Sequence, residues 1–161
     1  MKVTFTKTGI KRYRVTVERE GSAFAEMDPA PGFHSCLPHD AAHFIVESEL
    51  GIKGGVFGQL ASGGTANTFR TSDKAKARSS RKRGSTLAKI NKADSLFSEH
   101  AIYAAQSRWE GHDIIPETKI PPADLDRLIA KFEEFAAEWS RLPVGGSVTR
   151  EWPLAGLSKR R

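Results

Sequence analysis

Apolar and polar residues alternate from Lys2 to Lys7 and again from Arg12 to Arg19. Val3 and Phe5 share one side of the first run, and Tyr13, Val15 and Val17 one side of the second. A period of two over two adjacent runs, joined by the glycine-containing Thr8-Gly9-Ile10-Lys11, predicts a β-hairpin with one buried face. Ala23 to Met27 extends the pattern as a short third strand, and Asp28-Pro29-Ala30-Pro31-Gly32 must turn the chain. At the other end, Ser147 to Trp152 alternates too and is expected to pair with the hairpin.

Between these strands the period lengthens. From Pro38 to Leu50, residues Ala41, Ala42, Phe44, Ile45, Val46 and Leu50 cover a broad arc at 100° per residue, as in a helix packed on several sides. Pro38 suits its first position and Gly51 the left-handed residue after its end. A second helix is expected from about Thr86 to Arg108, with Leu87, Ile90, Phe97, Ala101 and Ala104 on its apolar stripe. A third starts at Pro121-Pro122 and carries Leu125, Leu128, Ile129, Phe132, Phe135, Ala136, Trp139 and Leu142. The glycine-rich stretch 54–64 lacks both GxxxxGK[ST] and a GxGxxG between strand and helix, and reads as a short apolar turn or half-buried helix from Val56 to Ala61. The sum is one α+β domain over residues 1–161, an antiparallel sheet drawn from both termini with about three helices on it. Residues 65–85 have no apolar periodicity and are expected to be a mobile loop, and residues 156–161 a frayed tail.

Charge sharpens this picture at one place. The 161 residues carry 25 Lys and Arg against 19 Asp and Glu, a net of +6. Nine of the cations fall between residues 70 and 92, beside the single acid Asp73, which leaves 16 basic and 18 acidic residues elsewhere, a net of −2. Arg70, Lys74, Lys76, Arg78, Arg81, Lys82 and Arg83, with Lys89 and Lys92, are therefore the candidate contacts to phosphates, in non-specific binding to nucleic acid. Phe69 is the only aromatic near them, and no zinc-finger or RNP-like pattern accompanies them. One cysteine, Cys36, rules out an internal disulfide; together with the absence of a long apolar run, this leads to the expectation of a cytoplasmic chain that does not engage a membrane.

The remaining candidate chemistry lies on the helix 38–50. The wedge left free by its apolar arc holds His39, Asp40, His43 and Glu47, and the helix has no Lys or Arg. Two histidines four apart project from adjacent turns of one face, the spacing by which a helix offers two imidazoles to one divalent metal such as zinc. His39 and Glu47 are eight residues apart, about 12 Å along the axis at ~1.5 Å per residue, so Glu47 cannot easily share an ion with His39 and is cast as the partner that orients His43, or as a ligand alongside His43 with His39 left out. Asp40 and Glu47 are the candidate catalytic acids. His34, Cys36, His100 and His112 are the candidates for a third ligand, and Cys36 is also a candidate nucleophile beside His39. A buried histidine pair satisfied by carboxylates explains the same residues without chemistry.

The run Leu37-Pro38-His39-Asp40-Ala41-Ala42-His43 resembles the HExxH helix of zincins, with Asp where that family has Glu. Together with Phe44, Glu47, Leu50-Gly51 and Pro143-Val144-Gly145-Gly146-Ser147, it also resembles a family of small bacterial proteins to which no activity is attached. That resemblance implies a histidine-bearing helix as a family feature and an accessory basic segment. Two functions follow as expectations: metal-assisted hydrolysis of a small-molecule or peptide substrate at the His/carboxylate face, or a non-enzymatic role in association with nucleic acid through residues 70–92.

Overall fold

A computed structural model describes residues 1–20, 22–66, 68–71, 74–113 and 116–153. The expected tail 156–161 lies outside them. The strands β1 (Lys2–Gly9), β2 (Arg12–Arg19), β3 (Ser22–Met27), β4 (Arg70–Thr71) and β5 (Ser147–Glu151) form one antiparallel sheet in the order β4-β3-β2-β1-β5. The hairpin register sets Val3 opposite Val17 and Phe5 opposite Val15, and β5 closes the far edge with Val148 opposite Phe5. Val3, Phe5, Tyr13, Val15, Val17 and Val148 thereby line one face and are buried. The other face is polar, with the Thr4 and Thr149 hydroxyls bonded at 3.0 Å.

Five helices are described: α1 (His39–Leu50), α2 (Val56–Ala61), α3 (Lys74–Ile90), α4 (Lys92–Trp109) and α5 (Pro122–Ser140). The stripe of α5 buries Leu125, Leu128, Phe132, Phe135 and Trp139, and each such side chain contributes about 1.5–3 kcal/mol on leaving water. Phe5 is the hub. Its ring meets Phe44 of α1 at 6.2 Å, Phe57 of α2 at 6.4 Å and Phe135 of α5 at 5.4 Å. α1 is buried along nearly its whole length, from Asp40 to Glu47. It stops where Gly51 takes φ 66°, letting the Ile52 N–H donate to the Glu47 carbonyl at 2.9 Å.

Two expectations are corrected. Residues 74–85 are not a loop but the first part of α3, and Arg70–Thr71 before them pair as β4 with β3. The helicity of α3 gives no apolar periodicity because only Ser80 and Gly84 are buried in it, and both sit against backbone. The Thr65 N–H donates to the Ser80 carbonyl at 3.2 Å, and Gly84 packs directly on Thr65, where a Cβ would strike the carbonyl oxygen. Nor do residues 86–108 form one helix. Asn91 separates α3 from α4, and Ile90 and Phe97 of the expected stripe are 72% and 41% exposed. α4 instead buries its small face, Ser98, Ala101, Ile102, Ala104, Ala105 and Ser107, which lets it approach α1 and α5 closely. Among the described residues no helix is long and apolar enough to cross a membrane.

Candidate metal centre

His39, His43 and Glu47 descend one side of α1 from the surface into the core: His39 is half-buried, His43 is 4% exposed and Glu47 is wholly buried. A carboxylate with no access to water needs several donors to offset its lost hydration. Glu47 has them. Its Oε1 accepts the Val56 N–H at 2.8 Å and the Ser98 hydroxyl at 3.1 Å, and its Oε2 accepts the Phe57 N–H at 2.8 Å. The two amides are the free N–H groups at the start of α2, so the glycine-rich turn that precedes them does cradle an anion, an internal one. Gly55 is required for this, because a Cβ there would overlap the Glu47 carboxylate. Gly55→Ala is therefore expected to destabilise the fold by about 1–3 kcal/mol, read as a lower midpoint in urea.

The same Oε1 lies 3.4 Å from His43 Nδ1. A proton on Nδ1 directed at the carboxylate leaves Nε2 as the atom that faces outward. His43 Nε2 stands 3.2 Å from His39 Nε2 and 3.5 Å from Oε1 of Glu99, a residue of α4. The rings of His39 and His43 are nearly perpendicular, with centroids 4.7 Å apart. One ligand atom from each of His39, His43 and Glu99 falls within 4.8 Å of the other two. Burial lowers the proton affinity of His39, and the neighbouring His43 lowers it further. At His43 burial acts in the same direction, but the hydrogen bond and charge of Glu47, with the charges of Glu99 and Asp40, outweigh it and raise the pKa above the usual value.

Asp40 is turned the other way, towards the sheet. Its carboxylate is in hydrogen-bond contact with the Tyr13 hydroxyl, which also donates to the Pro31 carbonyl at 2.6 Å. The one phenol proton is shared between these two acceptors. Burial raises the Asp40 pKa, against the Tyr13 hydrogen bond and the charges of His43 and His39, which lower it, and burial followed by the Asp40 charge raises that of Tyr13.

The structure thus gathers His39 and His43, places Glu47 behind His43, and leaves Asp40 bonded to β2. None of the sequence candidates for a third ligand joins them. His34 Nδ1 accepts the Cys36 and Leu37 N–H groups, and its Nε2 lies 3.6 Å from Glu110. His112 also pairs with Glu110, at 3.1 Å, and His100 is exposed on α4. Cys36 is exposed, its sulfur 3.5 Å from the Ser35 hydroxyl. The third group is Glu99. The signal that finds it is Ser98: once the small residues of α4 face α1, the residue after Ser98 must lie at the rim of the same seam.

No protein-family model, curated protein or solved structure matches the chain.

Proposed function

We propose that the protein binds one divalent transition-metal ion through His39 Nε2, His43 Nε2 and a Glu99 carboxylate oxygen, and uses it in hydrolysis of a small-molecule or peptide substrate. The observation that carries this reading is the spacing of the ligand atoms. Tetrahedral ligands with bonds near ~2.0–2.1 Å stand roughly 3.4 Å apart. The two edges that meet at His43 Nε2 measure 3.2 and 3.5 Å. The side chain of Glu99 is 58% exposed and free to close the remaining edge by a small rotation. Behind the ligands, Glu47 holds His43 as outer-shell carboxylates hold zinc-bound imidazoles, and the three hydrogen bonds that fix Glu47 keep the ring it holds from turning.

Two imidazoles with one carboxylate suit zinc, with iron(II) or manganese(II) as the alternatives that metal analysis separates. His39, His43 and Glu99 would hold the ion, and Glu99 lies on the exposed side, where water has access. Asp40 and Glu47, the acids expected to act on that water, are engaged by Tyr13 and by the start of α2. A bound ion would supply the acidity that activates water, since neither Asp40 nor Glu47 is placed to act as a base.

Proton and ion compete for His43 Nε2, which gives the reading a pH signature. Because the folded pKa of His43 is raised, its proton contributes stability that is present below about 6.5 and lost as pH rises through the folded value. The stabilisation by added zinc runs oppositely, growing as the proton leaves. The zinc-induced rise in Tm is expected to be several-fold larger at pH 8 than at pH 6, measured by scanning calorimetry. A rise independent of pH would place the ion on other groups. Turnover is tested on ester, phosphoester and peptide substrates with zinc-loaded protein and with Glu99→Gln: hydrolysis equal in both, or in neither, counts against the catalytic part.

A further inference from the structure

The most cationic element of the fold plays no part in the His site. The 17 residues of α3 include Lys74, Lys76, Arg78, Arg81, Lys82, Arg83 and Lys89 and not one acid. Lys74 and Arg78, then Arg78 and Lys82, stand one turn apart, where like charges repel. The helix is pinned to the loop before it by Ser80 and Gly84 and directs its long side chains outward. Between α3 and the ends of β2 and β3 lies a cleft of about 730 Å³. Among the described residues Arg19, Lys76, Lys82 and Arg83 line it, with Ser79, Thr86 and one acid, Glu20. Gly63, at φ 85°, lets the Arg19 guanidinium lie against its backbone, where a Cβ would meet the guanidinium nitrogen, and the same guanidinium lies over the Phe24 ring at 5.0 Å.

We propose that this cleft binds the phosphodiester backbone of single-stranded nucleic acid. Among the described residues four cations against one acid in a concave lining concentrate a positive potential. The polymer is favoured over a small phosphorylated molecule by what continues beyond the cleft. Lys74, Arg78 and Arg81 extend the charge along a helix about 25 Å long at ~1.5 Å per residue, far more than one phosphate group neutralises. A single strand is favoured over a duplex because the cations line a recess that a strand can enter and a stiff duplex cannot. The inference is independent of the metal reading: no ligand of that site lines the cleft.

The test uses the full chain and a labelled single-stranded oligonucleotide of about 12 nucleotides, with binding followed by fluorescence anisotropy between about 50 and 200 mM salt. Lys76, Lys82 and Arg83 are exposed, so the triple variant to Gln keeps the fold, as far-UV circular dichroism will show. It is expected to bind at least about tenfold more weakly, with a log–log salt slope shallower by about 2, from ~0.7 per lost phosphate contact. A charge-matched control, Lys11, Lys119 and Arg141 to Gln, is expected to keep the wild-type slope. Four results overturn the proposal: no binding by wild type at the lowest salt, equal losses in the two triple variants, displacement by inorganic phosphate at matched ionic strength, or tighter binding to a duplex of the same length. The wild-type slope is a second, variant-free check, since a value below that of two phosphates also contradicts it.

Discussion

Glu47→Ala is expected to remove roughly 3–5 kcal/mol of folding stability and to lower the Tm by on the order of 10 °C. The cause is arithmetic on donors. Without the carboxylate, the Val56 and Phe57 N–H groups and the Ser98 hydroxyl lose their acceptor in a place water does not reach, and His43 Nδ1 loses its partner. Alanine also leaves a void between α1, α2 and α4. Glu47→Gln tests the explanation from the other side: nearly the same shape with one oxygen acceptor is expected to recover about half the loss. Equal losses in the two variants would show that packing volume, and not the capping of α2, is what Glu47 supplies.

The second large effect belongs to His43. Replacing it with alanine is expected to weaken zinc binding by about a hundredfold or more, since it forms both measured edges of the ligand set and alone is braced by Glu47. The loss of a buried ring also costs about 1–3 kcal/mol in stability, so the variant by itself does not separate metal from packing. Glu99→Gln does. Its side chain is exposed and makes no described contact that the fold depends on, so it is expected to lose metal affinity at unchanged stability in the metal-free state. Titration calorimetry with zinc on the two variants, beside urea unfolding in chelator, reads both quantities.

The parts of this fold that a reader of the sequence can see are those whose stability comes from apolar side chains at a regular period. Val3, Phe5, Val15 and Val17 announce the hairpin, Leu125 to Trp139 announce α5, and Pro38 and Gly51 bracket α1. α3 is invisible by that criterion because backbone contacts at Ser80 and Gly84 take the place of an apolar face. α4 misleads, since large residues such as Leu96, Phe97 and Tyr103 point to solvent while alanines and serines are packed.

At the site the same division holds. His39, His43 and the brace from Glu47 are local on one helix, and an i, i+4, i+8 spacing is readable without coordinates. Glu99 is not, because its place depends on how α4 is rotated about its axis, and that rotation is set by where small residues permit close approach. Nor does the sequence tell what the Gly54-Gly55 turn is for. The turn delivers the Val56 and Phe57 amides to an anion nine and ten residues upstream, a match that exists only once α1 and α2 are folded against each other.

The central claim is that His39, His43 and Glu99 hold a metal ion. It is tested most directly by elemental analysis of the protein purified without a histidine tag, dialysed against zinc and then against metal-free buffer. About one zinc per chain is predicted for wild type, and none retained by Glu99→Gln or His39→Ala. No retained metal in the wild type, or one ion retained equally by both variants, would contradict it.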